Sequence, residues 1–341
     1  MKKSLLAIAT LLMLVPVRSE AHIKWFCAYD TTIPPLPIRD VLTPTFASIA
    51  ILFCALMFTA YVIDRAVDSS DWAKRFDNAI FRSESYTSTI IRVAVGMLFL
   101  ALWESGGVIL TPELKTTSIL VPWLQLAIAA SMLSRSTLKL GAAGIMVLYV
   151  YAVATYGAFH LMDYPVFPGV AVYLALLVVK SPYLSALRLP VLYTSIAATM
   201  MWGAIEKFGY PYWTFPLLTT HADLTLGFSF DQFMCIAGFV EFSLAFFMVT
   251  GTALLRWACT GLLLLMVSAV PEFGRVDAIG HLLIIAGLLA MIIAGQRTIQ
   301  LPPRLARTGV LTQAGILTLG YSATVVMAFG LYYSSQFLAG R

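Results

Sequence analysis

About ten apolar stretches, separated by short polar segments, occupy most of the chain after residue 43. A helix that crosses the hydrocarbon core of a bilayer needs roughly 20 mostly apolar residues, and most of these stretches approach that length. The sequence therefore predicts an all-α, polytopic integral membrane protein with about ten transmembrane helices. The stretches run approximately from 44 to 64, 87 to 110, 118 to 134, 140 to 160, 166 to 180, 188 to 206, 231 to 252, 256 to 271, 278 to 295 and 309 to 333, and those at 118, 166 and 256 are short.

The composition excludes a soluble domain and argues against a nucleic-acid-binding protein. Charged residues make up 11% of the 341 positions and hydrophobic residues 60%, whereas an ordinary globular chain carries roughly 25% charged residues. The formal net charge is +5, but the basic residues form no stripe. They lie in the short segments between apolar stretches, where they set the orientation of a membrane protein.

The distribution of Lys and Arg predicts which side each segment faces. With ten helices and residue 22 on the outside, roughly twice as many basic residues fall in the inner segments as in the outer ones, as the positive-inside rule requires. Ten helices place both ends of the mature chain on the outer side. We therefore expect a multi-pass protein of the bacterial inner membrane with both ends in the periplasm.

Residues 1–21 have the features of a secretory signal peptide. Two lysines precede an apolar run, and Ser19–Ala21 forms a small-x-small cleavage site. Cleavage would make His22 the mature N-terminus, and an uncleaved signal anchor is the alternative. Residues 22–43 would then form a periplasmic segment ahead of the first transmembrane helix.

The first helix belongs to a unit of residues 44–85 that ends in the longest inner connection. In this connection, DWAKRFDNAIFRS places aromatic and aliphatic residues near helical spacing against basic ones. The pattern predicts a short amphipathic helix on the inner leaflet, with a solvated connector as the alternative.

A weak internal repeat divides the middle of the chain into two groups of four helices. Residues 92–104, RVAVGMLFLALWE, align with residues 193–206, YTSIAATMMWGAIE, and in both a Trp and then a carboxylate lie near the outer end. Parallel repeats of this kind are one way of building a membrane bundle. We predict a first half at residues 86–181, a second half at 188–296 and a last helix at 309–333.

The second half resembles the DoxX-like family of small four-helix membrane proteins. The resemblance is carried by AATMMWGAIEKFGYP, with Glu206, by CIAGFVEFSLAFFMVTGTALLRWACTGLLLLMVSA, with Glu241, and by the glycine-rich GRVDAIGHLLIIAGLLAMII. It implies a membrane component of a redox system, since thiosulfate-to-quinone electron transfer and thiol-stress complexes are among the roles of relatives. The periplasmic segment and the first half extend beyond the usual family pattern.

Acidic side chains within or beside the apolar stretches are the strongest functional signal. An acidic residue at mid-bilayer costs roughly 2.5 to 3.5 kcal/mol, so it indicates a function unless a partner satisfies it. Glu241 lies about ten residues inside its stretch, near the bilayer middle. We predict that Glu104, Glu206 and Glu241 line one outward-opening cavity between the halves. The candidate catalytic residues are Glu104, Glu206, Asp231 and Glu241.

All four histidines fall on the predicted outer side, where imidazole and carboxylate groups suit copper, zinc, iron or nickel. A cleaved His22 would offer copper both its imidazole and its free amine, and another outer histidine would complete the site. Asp277 and His281 are four residues apart and share a helix face, where they would form a ligand pair, a proton relay or a packing pair. The candidate metal ligands are His22, His221, Asp277 and His281.

An aromatic run follows Glu206 in the outer connection after the sixth stretch. Trp and Tyr residues commonly form a belt at the membrane interface. The alternative is that Tyr210, Tyr212 and Trp213 hold a quinone ring beside an apolar cleft.

The resulting hypothesis is a DoxX-like subunit that couples a periplasmic electron or thiol donor to the quinone pool. Its outward-facing pocket would lie near Glu206, Asp231, Glu241, Asp277 and His281, and quinone is the candidate cofactor. The first alternative is a periplasm-facing copper-binding or transport protein. The second is a non-catalytic membrane scaffold for a periplasmic partner.

Overall fold

The computed structural model describes residues 33–68, 70–71, 75, 86–295 and 302–338. The signal peptide, His22 and most of the connection between 65 and 85 lie outside these residues, so what is predicted for them stays a prediction. The structure is 82% helical, and no β-strand occurs in the described segments. The all-α prediction is therefore confirmed.

Each predicted apolar stretch forms a helix. Within the described residues, seven helices are long and apolar enough to cross a membrane, and three shorter apolar helices occupy the stretches predicted to be short. The chain is thus a multi-pass membrane protein that contacts the lipid bilayer. The ten helices are α1 Pro44–Asp68, α2 Thr87–Ser105, α3 Leu120–Ser131, α4 Leu138–Tyr156, α5 Val166–Leu176, α6 Arg188–Gly209, α7 Phe230–Thr250, α8 Leu255–Pro271, α9 Phe273–Ala294 and α10 Val310–Leu338.

The connections contain shorter helical segments of three to six residues. The α-helical ones are Ile38–Val41, Ala158–Leu161, Pro182–Ala186, Phe215–Thr220 and Pro303–Ala306, and the 3₁₀ ones are Arg135–Thr137, Pro211–Trp213 and Ala222–Thr225.

Helices α8 and α9 form a hairpin with almost no connecting loop. Pro271 ends α8, and Gly274 in the first turn of α9 adopts the non-helical angles φ 74° and ψ −155°. The Arg256 Nε donates a hydrogen bond to the carbonyl oxygen of Ile292 at 2.7 Å. Because residues 36 positions apart are in contact, the two helices must run antiparallel.

Successive helices alternate in direction, so their ends meet at two opposite ends of the bundle. We keep the predicted names for these ends. The outer end holds Ser105, Gly209 and Phe230, and the inner end holds Asp68 and Thr250.

Helices α2 to α9 pack in an almost sequential ring. Each of α2 to α7 contacts the next helix in the chain, and the α8–α9 hairpin contacts both α7 and α2, which closes the ring. Helices α1 and α10 pair with each other and pack on the outside of α7 and α6. The two predicted halves, α2–α5 and α6–α9, would therefore meet along two seams.

Glycines allow three neighbours to approach α6 closely. A β-carbon at Gly169 on α5 would lie 2.1 Å from the Ser195 Cβ, and one at Gly287 on α9 would lie 2.1 Å from the Ile196 Cδ1. A β-carbon at Gly238 on α7 would lie 2.6 Å from the Phe208 ring. Small residues at such contacts are the usual means of packing helices in lipid.

At the inner end, Asp64 fixes α1 to the turn between α7 and α8. Its carboxylate is fully buried and accepts hydrogen bonds from the backbone N–H groups of Thr252 and Leu254 and from the Thr252 hydroxyl, at 2.7 to 3.1 Å. The neighbouring Arg65 donates to the Thr250 carbonyl oxygen at 3.3 Å. These bonds satisfy a carboxylate that would be costly if left alone.

We expect Gly169→Ala to destabilise the protein although alanine is the better helix former. The added methyl group overlaps Ser195, and overpacking of this kind costs about 1 to 3 kcal/mol. The matched control is Gly315→Ala on α10, where a β-carbon would meet no atom within 4 Å and helix propensity favours alanine by about 1 kcal/mol. Thermal unfolding in detergent should show a lower midpoint for the first variant only. Equal midpoints would contradict close packing at α6.

Candidate functional site

A cavity of about 270 Å³ opens within the outer half of the ring, between α5, α6, α7, α8 and α9. Four carboxylates line it, together with one lysine and one histidine: Asp163, Glu206, Glu241, Asp277, Lys207 and His281. Apolar side chains share this lining, among them Met200, Met266, Leu283 and Ile284. The walls of the cavity therefore combine charged and apolar groups.

Lys207 on α6 forms an ion pair with Glu241 on α7. Both side chains are largely buried, with 21% and 13% of their surface exposed. The Lys207 Nζ also lies 3.5 Å from the Gly203 carbonyl oxygen, one turn earlier on its own helix. Glu241 lies in the middle of α7, and Lys207 compensates its charge there.

Asp277 and His281 form a second close pair of polar side chains, on α9. The His281 Nδ1 lies 3.1 Å from the Asp277 Oδ1, and Asp277 is 1% exposed. The two side chains share one helix face, as their spacing predicts, and both line the cavity. A carboxylate beside an imidazole orients the ring and supports proton exchange.

Some residues that line the cavity carry buried oxygen atoms without a hydrogen-bond partner among the described residues. These atoms include the Asp277 Oδ2 and the Thr214 Oγ1. Buried polar atoms are nearly always bonded in native proteins. The Asp277 Oδ2 and the Thr214 Oγ1 therefore keep unused hydrogen-bonding capacity beside the cavity.

The aromatic run after α6 folds over the outer side of the cavity. Tyr210 and Trp213 line it, and their rings stack with centroids 3.9 Å apart and an angle of 10°. The Tyr210 hydroxyl donates to the Ile33 carbonyl oxygen at 3.1 Å and accepts from the Gln336 Nε2 at 3.0 Å. The aromatic cover is thus held by the N-terminal segment and by α10. Tyr212 does not line the cavity.

Several predicted site residues lie elsewhere. Glu104 is paired with Arg275 and its side chain is 55% exposed. Asp231 is exposed in the first turn of α7, where a negative charge favours the helix N-terminus. The His221 ring packs edge-on against Phe273, with centroids 6.0 Å apart. Of the three glutamates predicted to line one cavity, the structure brings together Glu206 and Glu241 and leaves Glu104 out.

The described residues contain no group of three or more His, Cys, Asp or Glu side chains arranged to hold a metal ion. Asp277 and His281 supply two neighbouring candidate ligands. A copper site completed by His22 falls outside the described residues and stays a prediction.

Sequence reasoning missed Glu113, which lies in the outer loop between α2 and α3. The loop carries apolar residues that are buried beside the ring: Val108, Ile109, Leu110 and Leu114. Glu113 accepts a hydrogen bond from the Tyr164 hydroxyl, and its Oε1 lies 2.9 Å from the His160 Nε2. The available signal was the apolar VIL run after Gly106 and Gly107, which is too short for a transmembrane helix and too apolar for an exposed loop.

Burial raises the pKa of Tyr164 well above its ordinary value, and the negative charges of Glu113 and Asp163 raise it further. The phenol therefore stays protonated at physiological pH and donates its hydrogen bond to Glu113. Tyr164 and Asp163 also line the cavity, so this cluster adjoins the site.

Comparison of the chain with protein-family models, curated proteins and solved structures finds no match.

We expect Lys207→Met to lower the free energy of unfolding by about 3 to 5 kcal/mol, because it leaves the Glu241 carboxylate buried without its partner. The double variant Lys207→Met, Glu241→Gln should recover much of this loss, since neither charge remains. Thermal unfolding of both single variants and the double variant in detergent measures the coupling. Additive effects of the two substitutions would contradict an ion pair between them.

Proposed function

We propose that this protein is a DoxX-like redox subunit of the bacterial inner membrane, with its outer end in the periplasm. It would pass electrons from a periplasmic thiol or sulfur-compound donor, delivered with or without a partner protein, to the quinone pool. The observation that carries the proposal is the cavity in the outer half of the ring, whose walls combine charged and apolar side chains. Membrane quinones combine an apolar ring with two polar oxygens, and the two kinds of lining side chain suit both.

The cavity fits a quinone head group in size and in chemistry. Its volume of about 270 Å³ is just below the roughly 300 to 1,000 Å³ of drug-sized sites, which favours a single ring over a dinucleotide. The Thr214 hydroxyl would donate to a carbonyl oxygen, and the Asp277 Oδ2 would accept from a hydroxyl group. Met200, Met266 and Leu283 would contact the ring.

The charged residues suit the protons that accompany quinone chemistry. When bound, a quinone supplies two-electron redox chemistry and takes up two protons as it is reduced. Glu206, Glu241 and Asp277 place carboxylates around the same cavity, and His281 beside Asp277 adds an imidazole, a group that commonly exchanges protons in proteins. Lys207 holds the Glu241 carboxylate in position.

We expect Asp277→Asn to reduce quinone-dependent oxidation of thiosulfate or a small thiol at least tenfold. The substitution keeps the size of the side chain and removes the carboxylate that accepts protons. The measurement uses membrane vesicles containing the full-length protein, with decylubiquinone as acceptor, and Glu241→Gln should show a similar loss.

The matched control is Asp231→Asn, which alters an exposed carboxylate outside the cavity and should leave the rate within twofold. Binding of decylubiquinone, followed by the fluorescence of the tryptophans, should weaken in Asp277→Asn and stay unchanged in the control. Unchanged rates and unchanged binding in Asp277→Asn would exclude the proposed site. Metal analysis of the purified protein, with and without His22→Ala, tests the copper alternative.

A further inference from the structure

A second polar cluster lies against the cavity. The function proposed above uses none of its residues. It consists of Glu113, His160 and Tyr164, which come from the α2–α3 loop, from the helix Ala158–Leu161 and from the segment just before α5. Both partners contact the same carboxylate oxygen, Oε1 of Glu113. The Glu113 side chain is 2% exposed and that of His160 is 6% exposed.

The cluster reaches the cavity through Tyr164. This residue and the adjacent Asp163 line the cavity wall, and Thr111 from the loop that carries Glu113 lines it as well. The Tyr164 side chain therefore borders the cavity while its hydroxyl is bonded to Glu113. Tyr164 is therefore the residue that the cavity wall and the cluster share.

The opposite end of the cluster lies just below the outer surface. His160 is covered by Tyr156, whose ring stacks on the imidazole with centroids 5.6 Å apart. The backbone next to it, at Gly157 and Ala158, is exposed. The chain of contacts thus runs from the cavity, through Tyr164, Glu113 and His160, to the outer face.

We propose that Tyr164, Glu113 and His160 form the path by which protons reach the cavity from the outer side. This inference rests on the proposed function, because reduction of a quinone consumes two protons. In each transfer His160 takes up a proton from the outside and passes a proton to Glu113. Glu113 then passes a proton to Tyr164, and Tyr164 releases its own hydroxyl proton into the cavity. One proton enters and one is delivered, so the three side chains return to their starting state.

The surrounding groups are consistent with this role. Asp163 is the neighbouring acid on the cavity side, and Tyr156 donates its hydroxyl proton to the Lys115 carbonyl oxygen rather than to the cluster. A glutamate held between an imidazole and a phenol has two exchange partners inside a buried site.

The decisive variant is Tyr164→Phe, which removes the hydroxyl and keeps the ring. We expect the rate of thiosulfate:decylubiquinone turnover in vesicles to fall at least tenfold, with the KM for the quinone within twofold and a changed pH profile. Tyr156→Phe is the matched control and should leave the rate and the pH profile as they are. Equal rates for the two variants, or a Tyr164→Phe effect confined to KM and thermal stability, would overturn the path.

A second measurement does not depend on turnover. Infrared difference spectra of the purified full-length protein between two pH values should contain a carboxyl carbonyl stretch that disappears in Glu113→Gln and shifts in both Tyr164→Phe and His160→Gln. A spectrum in which no carboxyl band responds to these three variants would show that Glu113 exchanges no proton, and the path would be wrong. Absence of turnover in the unmodified protein would instead remove the proposed function, while the infrared result still decides whether the cluster titrates.

Discussion

The outer cavity depends on the ion pair between Lys207 and Glu241. A carboxylate in the middle of a transmembrane helix is costly in lipid unless a cation neutralises it. Lys207 reaches Glu241 from the end of α6. Gly238 on α7 has no side chain and lies against the Phe208 ring on α6, so the two helices are close enough for the pair to form. The pair therefore joins α6 to α7 on one wall of the cavity, and it keeps a charged group where an apolar side chain would otherwise fill the space.

Close packing around α6 explains why the cavity is confined to the outer half of the bundle. Helices α5 and α9 place Gly169 and Gly287 against Ser195 and Ile196 in the inner half of α6, and at the inner end Asp64 and Arg256 join helix ends through backbone hydrogen bonds. The inner half is thereby closed by direct contacts. Towards the outer end the same helices carry charged side chains that require space and partners, so the ring opens there and the aromatic segment at Tyr210 covers it.

The long helices were predictable because their apolar length alone determines them, and even the three short ones were recognised from the sequence. The shared face of Asp277 and His281 was also predictable, since it follows from a local spacing of four residues. The partners of Glu241 and Glu104 were not, because Lys207 and Arg275 are 34 and 171 positions away in the chain and pairing depends on how the helices rotate against one another. Glu113 was missed for the same reason, as its loop folds inward only in the assembled bundle.

Two buried carboxylates, Asp64 and Asp277, differ in how completely their oxygen atoms are hydrogen-bonded. At Asp64 both oxygens accept hydrogen bonds from the turn after α7. Its role is therefore structural, since these bonds connect α1 to that turn. At Asp277, a residue of the cavity wall, one oxygen lies near His281, whereas the other is buried and has no partner in the described part of the chain. A fully bonded carboxylate gains nothing from a ligand. A half-bonded one, placed beside an imidazole, is stabilised when a molecule that donates a hydrogen bond enters, and this difference is why we place the proposed chemistry at the outer end of the bundle.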